Sequence, residues 1–169
     1  AVQGHSQGTA AHQSALYTAS ASIASGPPGN LTSAMPGVVQ AGPVPNSITY
    51  IGNAGFLIWT GDKKILVDAV FDGRSPAYTL PVAVKEAVVS GQAPFDNIDL
   101  VLVTHSHGDH FSAAPVRRVL ENNPRAIFVG TADAVASLTG MADRAIALDV
   151  PEGQRQTREV NGIRIDAMA

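Results

Sequence analysis

The sequence predicts an α/β domain built on a mixed sheet with flanking helices. Three observations carry that expectation. From Ile48 onward, apolar runs of strand length alternate with helix-like stretches opened by Pro or Ser and closed by Gly or Asn. Near the end of the chain, Asn161-Gly162 separates two strand-like segments, a strong signal for a two-residue hairpin turn. The composition, 45% hydrophobic and 15% charged over 169 residues, suits one globular core and hardly two.

Residues 1–45 are dominated by Ala, Ser, Gly, Thr, Gln and Pro, and the first charged side chain is Asp62. Such a stretch has little to bury, so it is expected to be a flexible, uncharged leader, with one short helical turn around Ser14 to Ala24. His5 and His12 fall there without a neighbouring ligand and read as solvated residues. Asn30-Leu31-Thr32 fits a glycosylation acceptor, a pattern with meaning only in a secretory eukaryotic setting. No Lys or Arg precedes Lys63, so an intact signal peptide is not expected. A leader already removed, leaving an extracytoplasmic protein, or a fragment of a longer chain is expected instead.

The folded domain is expected over residues 46–169. Ile48 to Ile58 reads as two strands, with Phe56 and Ile58 on one face of the second and Leu57 and Trp59 on the other, as in a buried strand. Lys64 to Val70 is the next strand, completing an antiparallel meander. Phe71 to Pro76 is a turn-rich loop whose Arg74 could contact an anionic substrate, though a solvated loop charge is the commoner reading. Pro81 to Ser90 is a short helix ended by Gly91, and Ile98 to Val103 a strand, with Phe95 a packing residue before it. Ser112 is a good N-cap for a helix to about Asn122, with Pro115 in its first turn. Arg117 and Arg118 diverge in direction there and read as a solvated face. Ala126 to Val129, a helix capped by Thr131 through Leu138, and Ala145 to Val150 continue the alternation. Gln156 to Val160 and Ile163 to Ala167 form the hairpin.

The formal net charge of −3 gives no basic footprint for nucleic acid. No apolar run approaches a membrane span, and the absence of cysteine excludes disulfides and thiolate ligands. Oligomeric state is not legible.

The chemistry concentrates in Thr104-His105-Ser106-His107-Gly108-Asp109-His110, between the strand and the helix; three of the five histidines lie there. In extended chain, residues two apart share a side, so His105 and His107 can offer imidazoles to one cation. Gly108 lets the chain turn and swings Asp109 and His110 toward a second. Neutral imidazole and carboxylate suit zinc, iron or manganese, and without thiolates the site reads as open and catalytic.

This segment resembles the His-x-His-x-Asp-His signature of the metallo-β-lactamase fold superfamily. Tyr50-Ile51-Gly52-Asn53-Ala54-Gly55-Phe56-Leu57-Ile58 is similar to the family's opening strands, in look nearest to the branch of ascorbate-phosphate lactonase-like proteins, which often has histidine where this chain has Asn53. Asp68 matches an aspartate at the end of the following strand in many members. The resemblance covers Ile48 to Ala169 and implies the N-terminal half of an αββα sandwich, truncated before its second half.

It implies that His105 and His107 bind a first metal and Asp109 and His110 a second, expected to be two zinc ions, with iron or manganese as alternatives. Asp109 would also steer the proton of the attacking water. Asp68, Asn53 and Thr104 are the candidates for supporting the ligands; Asp68 reads equally as a strand-end turn residue. The implied activity is hydrolysis of a small-molecule ester, lactone, lactam or phosphoester by a metal-bound hydroxide. The family completes its sites with a later histidine, a bridging aspartate and a final histidine. No histidine follows His110, and none of Asp133, Asp143, Asp149 and Asp166 matches the bridging position. The 169 residues alone are therefore expected to be inactive. The alternatives are an iron-dependent oxidoreductase of the same fold or a non-catalytic metal-binding remnant.

Overall fold

A computed structural model describes residues 46–73 and 79–169. The expectations for the leader and for Arg74 lie outside these residues. The described chain opens as an antiparallel meander, β1 (Ser47–Gly52), β2 (Gly55–Trp59) and β3 (Lys64–Val67). Three parallel strands follow, each reached through a helix: α1 (Val82–Val89) to β4 (Leu100–Leu102), α2 (Ala113–Asn122) to β5 (Ile127–Gly130), and α3 (Ala132–Ser137) to β6 (Ala145–Ala147). The sheet is six-stranded in sequence order, antiparallel over its first half and parallel over its second.

Register explains the layering. Leu57, Leu66, Val101 and Phe128 lie side by side across four strands and share one face. They pack with Val88 and Val89 of α1 and Val116, Val119 and Leu120 of α2 in the main core. The neighbouring rows, Ile65-Leu100-Ile127 and Val67-Leu102-Val129, face the other way. There the hairpin of β7 (Arg155–Val160) and β8 (Ile163–Met168) supplies Val160, Ile163 and Ile165 to a second cluster around Leu100 and Val129. Parallel strands need cover on both faces, and helices on one side with a hairpin on the other provide it. Asn161, in the hairpin turn at φ 51°, fastens this layer by donating from Nδ2 to the carbonyls of Asp99 and Arg125, both at 2.9 Å.

Several expectations are corrected. The third strand ends at Val67, three residues early, because Asp68 adopts φ 44° and turns the chain out of the sheet; Val70 retains only an isolated bridge to Phe111. The last strand of the sheet stops at Ala147 instead of Val150. The second strand is not buried on both faces: Leu57 is, but Phe56 and Ile58 are half-buried, and their partners Tyr50 and Ile48 are 63% and 70% exposed. Ser112 precedes α2 as expected but does not cap it with its side chain, because its hydroxyl accepts the Asp72 amide at 2.9 Å. Thr131 likewise bonds to Asp133 and not to a helix amide. Arg117 and Arg118 are not merely solvated: Arg117 donates to the Thr139 carbonyl at 2.6 Å, and Arg118 pairs with Glu86 at 3.2 Å, tying α2 to its neighbours.

Candidate metal site

The His-rich segment leaves the sheet at the carboxyl end of β4, with the carboxyl ends of β3 and β5 beside it. In open α/β sheets this edge is where loops from adjacent strands converge on a ligand. Val103 still bonds to Val129 at 2.9 Å, but the next amide, of Thr104, turns to Asp68 Oδ1 at 2.8 Å. The loop then closes as a turn, with the amides of His110 and Phe111 both returning to the His107 carbonyl at 2.9 Å.

Within this loop His105, His107 and Asp109 each present a ligand atom, and all three atoms lie within 4.8 Å of one another. Donors about 2 Å from a shared tetrahedral ion are about 3.3 Å apart, so a contraction of about 1.5 Å would let them hold one cation. The His105 and His107 rings meet edge-on at 4.8 Å between centroids, and the His110 ring lies 3.8 Å from His105. His110 Nε2 is 3.7 Å from Asp109 Oδ2, a separation that also fits two donors on one ion. The donor set of imidazoles and one carboxylate, half-exposed and free of thiolate, fits a catalytic zinc, iron or manganese.

The three supporting candidates converge on this loop. Asp68 is 4% exposed and accepts both the amide of Thr104 and its hydroxyl, at 2.8 and 2.7 Å. Because a carboxylate only accepts, the hydroxyl proton points at Asp68, and Thr104 Oγ1 is left to accept from His105 Nδ1 at 3.1 Å. That arrangement leaves the lone pair of His105 Nε2 free to face a cation. Asp68 Oδ2 also lies 3.1 Å from His110 Nδ1, off the angle of a hydrogen bond, so this buried nitrogen lacks a hydrogen-bond partner among the described residues. A proton on Nδ1 is favoured beside the carboxylate, which again frees Nε2, the atom that faces Asp109. Asn53, at φ 49° in the β1–β2 turn, donates from Nδ2 to the Asp109 carbonyl at 2.8 Å.

Sequence reasoning missed one contact. Ser106, between the two histidines, donates its hydroxyl to Asp133 in the first turn of α3, and Thr131 donates to the other oxygen of that carboxylate. The Ser106 bond and then the Thr131 bond hold the Asp133 carboxyl below the usual carboxylate range. Asp166 is likewise lowered, by Thr157 and then Arg164, but it belongs to the hairpin. Of the other aspartates weighed for a bridging role, Asp149 accepts the Ala132 amide with both oxygens, at 3.1 and 3.0 Å. Beside Thr104, a cleft of about 510 Å³ runs between the ends of β4 and β5 and the strand β8, lined mainly by apolar side chains such as Leu102, Val129, Leu148 and Ile165.

A family model described as a beta-lactamase superfamily domain matches residues 47–168, which span every strand and helix described above. The chain belongs to this superfamily, with the metallo-β-lactamase fold. Among curated proteins it is similar to a metal-dependent hydrolase of Pyrococcus furiosus, 40% identical over 63 residues that cover 37% of this chain and 23% of that protein. A metal-dependent hydrolase of Nitratidesulfovibrio vulgaris is 39% identical over 67 residues, covering 40% of this chain and 23% of its own length. The match therefore spans about a quarter of these relatives. Among solved structures, one titled a metal-dependent hydrolase from Parabacteroides distasonis aligns with a TM-score of 0.40 and 18% identity over 64% of this chain and 39% of that one. No helix among the described residues is long and apolar enough to cross a membrane.

Proposed function

We propose that this chain carries the metal-binding half of a metallo-β-lactamase-fold hydrolase that holds two zinc ions and cleaves a small-molecule ester, lactone, lactam or phosphoester. The observation that carries the reading is the convergence of the His105, His107 and Asp109 ligand atoms to within 4.8 Å at the carboxyl edge of the parallel strands. The printed names of the curated relatives, metal-dependent hydrolases, point the same way.

In this reading His105 and His107 hold one ion, and Asp109 and His110 the other. When bound, the ions supply a water of lowered pKa and polarise the scissile group. The chain's own residues do the rest. Asp68, through Thr104 for His105 and by its charge 3.1 Å away for His110, favours a proton on each Nδ1 and so leaves both Nε2 lone pairs free for metal. Asn53 fixes the turn that aims Asp109, whose carboxylate is placed to take the proton of the attacking water. The apolar cleft beside Thr104 offers the route by which an uncharged portion of the substrate reaches the site.

The test is the metal content of His107→Ala, prepared in the complete natural polypeptide and measured by elemental analysis against the parent. Loss of most of the metal at the first site, one ion of the two, is expected, with zinc the element found. Metal content equal to the parent's would overturn the ligand assignment, and iron with oxygen consumption would replace hydrolysis by oxidation.

A further inference from the structure

The loop bearing the proposed ligands departs from the sheet after Val103, so its shape depends on what grips it from outside. Three side chains do so, each from a different element. Asp68, at the end of β3, takes the Thr104 amide and hydroxyl. Asn53, in the β1–β2 turn, takes the Asp109 carbonyl. Asp133, in the first turn of α3, takes the hydroxyl of Ser106.

The third grip differs from the others in where it acts. Asp68 and Asn53 hold the loop at its two ends, whereas Ser106 lies between His105 and His107, so a shift there would move both imidazoles apart or together. Asp133 is itself positioned on both sides. Its second oxygen accepts from Thr131, and Thr131 directly follows β5, which is paired to β4 through Val101–Phe128 and Leu102–Val129. The route from the ligand loop to the rigid sheet is therefore short: Ser106, Asp133, Thr131, β5. Both carboxylate oxygens are engaged by hydroxyl donors, and both bonds are the charge-assisted kind that hold geometry best.

We infer that Asp133 is a positioning residue for the metal site, setting the spacing of His105 and His107 through Ser106. This rests on the proposed metal reading, and it assigns Asp133 no contact with metal or substrate. Groups that orient ligands from one step away typically carry a factor of 10 to 100 in metal affinity. Because Asp133 is exposed, the lower end applies.

The experiment is zinc affinity by chelator competition in the complete natural polypeptide, with the Co(II) absorption spectrum as a reading of ligand geometry and the unfolding midpoint of the metal-free protein as a control. Ser106→Ala and Asp133→Ala are each expected to weaken zinc about tenfold and to alter the Co(II) bands, with the metal-free midpoint little changed. The double variant should lose no more than either single one, since both remove the same bond. Asp133→Asn, whose amide can still accept from Ser106 and donate to Thr131, should stay near the parent. Affinity of Asp133→Ala within twofold of the parent, or single losses that multiply in the double variant, would overturn the inference. If Asp133→Ala does not fold, Ser106→Ala decides: a tenfold loss beside a near-parental Asp133→Asn supports it, and a loss under twofold refutes it. His107→Ala run alongside separates the two levels: if it also leaves zinc affinity unchanged the metal reading itself fails, whereas loss in His107→Ala alone removes only the role of Asp133.

Discussion

Asp68→Asn changes one atom of the carboxylate and nearly nothing of its volume, yet three groups depend on that carboxylate. Two are donors at 2.8 and 2.7 Å, the Thr104 amide and hydroxyl, and the third is His110 Nδ1 at 3.1 Å. With the new amide nitrogen in the Oδ2 position, it donates to Thr104 Oγ1, and the hydroxyl then turns to donate to His105 Nδ1. It also faces His110 Nδ1 as a donor. Both rings are driven to carry their proton on Nε2, where it blocks a ligand lone pair. In the flipped orientation the amide nitrogen meets the Thr104 N–H, and that part-buried amide loses its acceptor at a cost of about 1 kcal/mol.

No orientation of the asparagine leaves all three groups in the donor roles they hold toward the carboxylate. The expected result is a 10- to 100-fold loss of metal affinity, about 1.4–2.7 kcal/mol, larger than the change in stability of the metal-free protein. Zinc titration reads the affinity, and long-range proton–nitrogen NMR of the metal-free protein reads the tautomers of His105 and His110. Zinc affinity within twofold of the parent, with both rings still protonated on Nδ1, would refute the chain of argument from Asp68 to the two imidazoles.

Further outcomes are expected elsewhere. A Cβ at Gly55 would stand 2.9 Å from the Gly52 carbonyl, 3.0 Å from the Ala69 Cα and 3.1 Å from the Asp68 carbonyl, all backbone, so Gly55→Ala should cost about 1–3 kcal/mol in chemical denaturation and displace the Asp68 turn. Asn161→Ala removes the two 2.9 Å bonds of the hairpin turn and puts alanine at φ 51°, at a cost of about 2–3 kcal/mol; Asn161→Gly removes the bonds without the strain and should cost less. The Lys64 ammonium, first by hydrogen bond, holds the Asp96 carboxyl below the usual carboxylate range, at 2.7 Å. A lowered folded-state pKa stabilises above the unfolded value and is lost as pH falls through the folded one. Asp96→Asn should therefore lower the neutral-pH midpoint by the equivalent of about 0.5–1 kcal/mol, small because the carboxylate is 42% exposed, and the gap from the parent should close in acid.

Much of this protein is local, and the local part was legible. The strand before the His-rich loop and the helix after it follow from the apolar run Leu100–Leu102 and from Pro115 in the first turn of α2, because strand and helix signals act over a few neighbours; Gly108, expected to turn the chain through angles reserved to glycine, lies in the turn without a positive φ. The Asn161-Gly162 hairpin follows from the left-handed angles that these residues accept, 51° and 73°. The boundaries were less legible. Lys64 to Val70 is apolar enough for a longer strand, but Asp68 bonds to Thr104, 36 residues away, and that partner takes its backbone out of the sheet.

Only the tertiary structure decided how the ligand loop is held. Asp133 stands 27 residues from Ser106, with no motif linking them, and they meet because β4 and β5 pair in parallel and release their loops at the same edge. The half-burial of Phe56 and Ile58 is likewise decided by which strands the hairpin covers, a matter of packing that a strand's own alternation does not contain. Residue type and spacing gathered candidate cation ligands into one loop; the long-range bonds from Asp68 to Thr104 and from Ser106 to Asp133, whose partners are set by the sheet and not by neighbours in the chain, determined how that loop is held.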